Sequence, residues 1–171
     1  MDTVQVIKCL AKQPLLFEPG EHWQYGLSHD ILAAAVEVIS GMRFADYVKK
    51  NIFNKLEMNS SYYHKTPEIE AKMAEQYKCA TDSGETDIVN LQKSAHSFDG
   101  EVVNIGKDVV IHGFGENYDS GGAGIITTIE DYSKFVAALA SGGMGLNGER
   151  ILSPATVELL HTNQLSDEQM A

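Results

Sequence analysis

Apolar positions fall into helical rows in the first and last thirds of the chain. Ile31, Leu32, Ala35, Val36 and Ile39 recur at i, i+1, i+4, i+5 and i+8, one face of a 3.6-residue turn. Gly41 follows where a left-handed C-terminal cap belongs, so the pattern predicts a helix over 29–40. Its alanines Ala33, Ala34 and Ala35 allow another element to approach closely. Phe44, Tyr47, Val48 and Ile52 form a second stripe over 44–53, with Lys49 and Lys50 near the negative end of the helix dipole. Tyr132, Phe135, Val136 and Leu139 predict a third helix over 128–140, with Thr128 and Asp131 in a capping-box arrangement and Gly142-Gly143 as its stop. Two shorter helices are marked by their starts. Asp2 with Gln5 opens one near 3–12, with Ile7 and Leu10 as its apolar face, and Ser153-Pro154 opens another over 154–161.

Between Asn59 and Tyr118 the helical period fades. Met73–Ala80 and Ile88–Leu91 read as short strands joined by a turn at Thr81-Asp82-Ser83-Gly84, and Val102–Ile111 as another extended run. Glycine then becomes dense, with 9 of the 15 glycines between Gly113 and Gly148. The expected fold is a single domain over 1–171, mainly α with a small antiparallel β ribbon. Its expected core is Trp23, Ile31, Leu32, Val36, Phe44, Phe135 and Leu139.

Composition narrows the partners. A 43% hydrophobic and 22% charged chain of 171 residues excludes disorder, collagen and coiled coil as whole-chain readings. A net charge of −11 disfavours nucleic acid and anionic membrane surfaces, both of which need a positive footprint. The longest apolar run, Ile31–Val36, is far short of the ~20 residues of a membrane span. No basic segment leading into an apolar one opens the chain, so no signal peptide is visible and the compartment is left open. Cys9 and Cys79 have no metal or redox spacing and read as buried thiols.

Several motif matches fail on geometry. Gly143-Met144-Gly145-Leu146-Asn147-Gly148 has GxGxxG spacing, but a dinucleotide loop must leave a strand and enter a helix N-terminus. This one leaves a helix, so it reads as a connector. Ser28-His29-Asp30 are consecutive, and neighbours on a helix diverge by about 100°, which prevents a relay. Ser28 or Asp30 reads instead as a helix cap. No serine has a GxSxG context, and the six histidines form no HxxxH or HExxH pair, so neither a metal nor another cofactor is expected. Tyr25, just ahead of the most periodic helix, reads either as packing or as a general base. The second role needs a nearby cation, because an ordinary tyrosine has a pKa of ~10.

Two long runs carry a resemblance. PLLFEPGEHWQYGLSHDILAAAVEVISGMRFADYVKKNIFNKLEMNSSYYH and DSGGAGIITTIEDYSKFVAALASGGMGLNGERILSPATVELL resemble the class C beta-lactamase-like serine hydrolases, which include beta-lactamases, D-Ala-D-Ala peptidases and esterases. Shared features are the helix ending in Ser-Gly, a "PLGM"-like turn at Lys55-Leu56-Glu57-Met58, the "GGAG…TT…DY" segment and the "RILSP" helix start. The resemblance implies the helical region of the beta-lactamase/transpeptidase-like α+β fold, without its main sheet. It implies acyl transfer on an ester, a beta-lactam or a D-Ala peptide, with Tyr25 as the general base. Gly121, Gly122 and Ala123, with Gly124, would form the site wall, and Asp119 and Ser120 its rim. Three features depart from the family. Leu27 replaces the Asn of Tyr-x-Asn, which leans toward the esterase branch. No Ser-x-x-Lys occurs, Ser40-Gly41-Met42-Arg43 being the nearest. No Lys-Thr-Gly or His-x-Gly occurs, the nearest being Lys65-Thr66-Pro67 and His112-Gly113-Phe114. The chain alone is therefore expected to be inactive and to self-associate through an apolar face that the sheet would cover. The alternative is a truncated pseudoenzyme acting as a noncatalytic binding module.

Overall fold

The computed structural model describes residues 1–80, 101–106, 117–166 and 169. In chain order its elements are α1 (Thr3–Leu10), α2 (Ser28–Ser40), α3 (Phe44–Val48), a π turn (Lys49–Phe53), α4 (Pro67–Lys72), β1 (Gln76–Ala80), β2 (Glu101–Gly106), α5 (Ile129–Ala140) and α6 (Pro154–His161). They fall into two compact units, Met1–His64 with Phe114–Ala171, and Lys65–Gly113.

In the first unit the helix starts follow from their caps. Gln5 N–H donates to Asp2 Oδ1 at 2.8 Å and Asp2 N–H donates to Gln5 Oε1 at 3.1 Å, the reciprocal box that opens α1. Thr128 and Ser153 accept from the N–H groups of Asp131 and Thr156 at the starts of α5 and α6. α2 stops at Gly41, whose φ of +68° lies in the region that favours glycine. The start of α2 differs from expectation. Leu27 is its N-cap with no side-chain bond, because the Asp30 carboxylate is turned inward instead.

The core cluster is Val48, Phe53, Leu56, Met58 and Ala138, flanked by Phe44, Ile52, Tyr63, Phe135 and Ile151. The expected helix over 44–53 is two windings. Asn54 N–H reaches back five residues to Lys49 C=O (2.8 Å), and the wider turn brings Val48 and Phe53, five apart, onto one inward face. None of the seven expected core residues is fully buried: Trp23, Ile31 and Leu32 are exposed, and Val36, Phe44, Phe135 and Leu139 are half-buried. On α2 the buried stripe is Asp30, Ala33 and Ala34, the side whose small residues admit neighbouring backbone. Cys9 is exposed, against expectation, while of Cys79 only the backbone, in β1, is described. The 143–148 stretch folds back on itself, with Gly145 N–H on Glu149 C=O (2.8 Å) and Ile151 N–H on Gly143 C=O (2.9 Å). A Cβ on Gly143 would overlap the Leu152 carbonyl, so glycine is required there.

In the second unit Thr66 caps α4, with Pro67 at its first position. This helix was not expected, since six residues are too few to show a period. β1 pairs antiparallel with β2 in the register Lys78↔Val103, with an irregularity between Gln76 and Tyr77. The predicted turn at 81–84, the run 88–91 and the continuation of the extended run past Gly106 lie outside the described residues. The described chain is helix-rich, and among its residues no helix is long and apolar enough to cross a membrane.

Candidate active site

The first turn of α2 and the segment 118–123 meet through buried polar groups. The Tyr118 hydroxyl, the Ser120 hydroxyl (2.8 Å) and Gly121 N–H (3.0 Å) all donate to Asp30 Oδ1, on a residue only 2% exposed. Gly122 and Ala123 donate their N–H groups to Ser120 Oγ at 3.2 and 3.0 Å. The Tyr63 hydroxyl donates to Ser120 C=O at 3.1 Å.

Asp119, between Tyr118 and Ser120, takes other partners. Its buried carboxylate accepts from Arg43 Nη2 (2.7 Å) and His64 Nε2 (2.8 Å) on Oδ1, and from Ala45 N–H (2.9 Å) on Oδ2. A carboxylate partner requires a proton on His64 Nε2, so Arg43 and His64 converge on one oxygen as donors, 3.1 Å apart. Thr3 Oγ1 accepts from Asp119 N–H at 2.9 Å, tying α1 to the same segment. Burial and the hydrogen bond to Asp30 push Tyr118 up to about 12, with the Asp30 charge acting in the same direction. Tyr63 is raised by burial and by the charges of Asp119 and Asp30. Glu37 is raised by partial burial, against the opposing bond it accepts from Phe44 N–H.

Of the expected site residues, Ser120, Gly121, Gly122 and Ala123 form one turn against α2. A Cβ on Gly121 would overlap the His29 carbonyl, so glycine there seats the turn on the backbone of α2. Gly122 and Ala123 are exposed, and a Cβ on Gly124 would come within 2.9 Å of the Tyr63 ring. Asp119 and Ser120, expected on the rim, lie in the interior, held by the bonds above. Tyr25 is 82% exposed in the connector three residues ahead of α2, its ring 6.5 Å from that of Trp23, and it makes no hydrogen bond among the described residues. Sequence reasoning missed the roles of Asp30, Arg43 and His64. Their partners lie 55 to 91 positions away, so no local spacing marks them. The one available signal was Asp30 heading the small-residue stripe Ala33 and Ala34.

The fold of the chain has counterparts among solved structures. The structure matches that of simvastatin synthase, the LovD6 mutant of LovD from Aspergillus terreus, with a TM-score of 0.69 and 23% identity, over 95% of this chain and 34% of that one. At that identity the likeness concerns the fold. The Beta-lactamase family model matches residues 1–170, and the chain belongs to that family. Lovastatin esterase of Penicillium rubens is 27% identical over 160 residues, 92% of this chain and 35% of its own length. Protein Rv1367c of Mycobacterium tuberculosis is 24% identical over 163 residues, 95% of this chain and 36% of its own. The chain thus spans about a third of the length of the curated relatives it matches.

Proposed function

We propose that this chain supplies the general base and one wall of an acyl-transfer site in a serine hydrolase of the beta-lactamase family, as a central segment of a longer domain. In this reading the Tyr25 phenolate takes the proton of an attacking serine. The serine oxygen bonds to the carbonyl carbon, and the proton passes to the leaving oxygen or nitrogen as that bond breaks. The serine and the cation that stabilises the phenolate come from a Ser-x-x-Lys segment, which this sequence does not contain. Leu27 in the Tyr-x-Asn position favours an ester over a beta-lactam or D-Ala peptide, and the likeness to a lovastatin esterase points the same way. The segment is mainly helical with a small antiparallel ribbon, and lacks the main sheet.

The observation that carries this reading is the seating of Gly121 on the His29 backbone, four residues past an exposed Tyr25. It supports the reading because Gly121 lies against α2, which begins three residues after Tyr25. The pure 171-residue chain should turn over neither nitrocefin nor p-nitrophenyl acetate, and turnover abolished by Tyr25→Phe would contradict the claim of inactivity. If the encoding DNA continues in frame upstream into a Ser-x-x-Lys helix, the longer product should hydrolyse esters. Tyr25→Phe should then lower its kcat by ~10²–10⁴-fold, and an unchanged kcat would remove Tyr25 from the mechanism. An upstream stop codon would favour a noncatalytic binding module, a reading supported by the absence of Ser-x-x-Lys.

A further inference from the structure

We propose that Asp30 is the positioning residue for the Gly121–Ala123 wall, holding all three of its N–H groups inward. The proposal rests on the reading of that wall as part of the site. Gly121 N–H donates directly to Asp30 Oδ1 at 3.0 Å. The Ser120 hydroxyl gives its proton to the same oxygen at 2.8 Å, which leaves its lone pairs aimed at Gly122 N–H (3.2 Å) and Ala123 N–H (3.0 Å). One buried carboxylate therefore sets three successive amides, the first by contact and the next two through one hydroxyl. Charge-assisted acceptance is stronger than a neutral bond, and a buried, fully engaged network has few alternative arrangements. Two consequences follow. The wall offers a substrate shape and Cα surface but no free N–H donors, so the donors that stabilise an oxyanion lie elsewhere in the enzyme. Because Asp30 lies five residues past Tyr25, the carboxylate also fixes how far the wall stands from the start of the helix behind the base.

Amide hydrogen exchange of the 171-residue chain, read by NMR, tests this without any substrate, so the result is independent of whether Tyr25 is catalytic. Asp30→Ala should speed exchange at Gly121, Gly122 and Ala123 by tenfold or more, while the Ala138 amide in α5 stays within about twofold of wild type. Ser120→Ala should speed Gly122 and Ala123 in the same way and leave Gly121 protected, a pattern that general loosening does not produce. Asp30→Asn, which keeps an acceptor oxygen, should restore most of the protection. Equal acceleration at Ala138 and the wall, or unchanged wall amides, would overturn the proposal. Should Asp30→Ala not fold, the Gly121-against-Gly122 contrast in Ser120→Ala decides alone.

Discussion

Glu57 is the described non-glycine residue whose backbone is left-handed, at φ +54°. It stands between the buried Leu56 and Met58, and its carbonyl accepts from Lys134 Nζ at 2.7 Å, so the conformation is imposed by the core on either side. A side chain in that region costs roughly 1–2 kcal/mol, and glycine escapes the cost at the expense of some unfolded-state entropy. Glu57→Gly should therefore stabilise the chain by about 1 kcal/mol, seen as a higher urea midpoint at unchanged slope; a lower midpoint would show that the Glu57 side chain contributes more than its backbone costs. The "PLGM"-like reading of Lys55–Met58 already held the clue, since the family pattern has glycine at this place. Cap residues such as Asp2, Thr128 and Ser153 were legible because a cap is a local bargain between a side chain and an N–H three residues on. Asp30 was not legible, because its partners arrive from positions 118–121.

At the scale of elements, α5 is fastened to the turn after Met58 through Asp131. Oδ2 accepts from Ser60 N–H (2.6 Å) and Ser61 Oγ (3.0 Å), and Oδ1 from Lys134 Nζ (3.0 Å). Burial alone would raise this carboxyl, but the Lys134, Ser60 and Ser61 bonds outweigh it and hold it below its ordinary value. A lowered native value means stability that is complete above the unfolded carboxyl range, near pH 4, and is lost as pH falls through the native one. Asp131→Ala should cost about 1–3 kcal/mol at pH 7, and urea titrations should show the gap to wild type narrowing below pH 4; a gap independent of pH would mean that the loss is packing rather than charge. Glu37, raised, responds in the opposite sense. The long helices α2 and α5 were legible because four or five apolar positions repeat with one period. The π turn and α4 were too short to show one. The core on α2 was misassigned because apolar size was taken as the sign of burial, whereas close backbone approach selected Ala33 and Ala34.

For the whole molecule, what is exposed matters as much as what is buried. Ile31, Leu32, Val38 and Ile39 of α2 are exposed, and Ile31, Val38 and Ile39 line an apolar groove of about 340 Å³ with Val4 and Ile7 of α1. We expect light scattering to show mass rising with concentration in the micromolar range, more so at higher salt, where screening relieves the repulsion of a −11 chain. Ile39→Lys should shift the chain toward monomer at unchanged helicity; a constant monomeric mass for wild type would dismiss the idea. The bond between Thr3 and Asp119 adds a matter of timing. Its two ends are 116 positions apart, so on the ribosome α1 is made well before the residue that anchors it. Until Asp119 emerges, α1 has to be carried without this anchor, through the whole stretch of synthesis that separates the two residues.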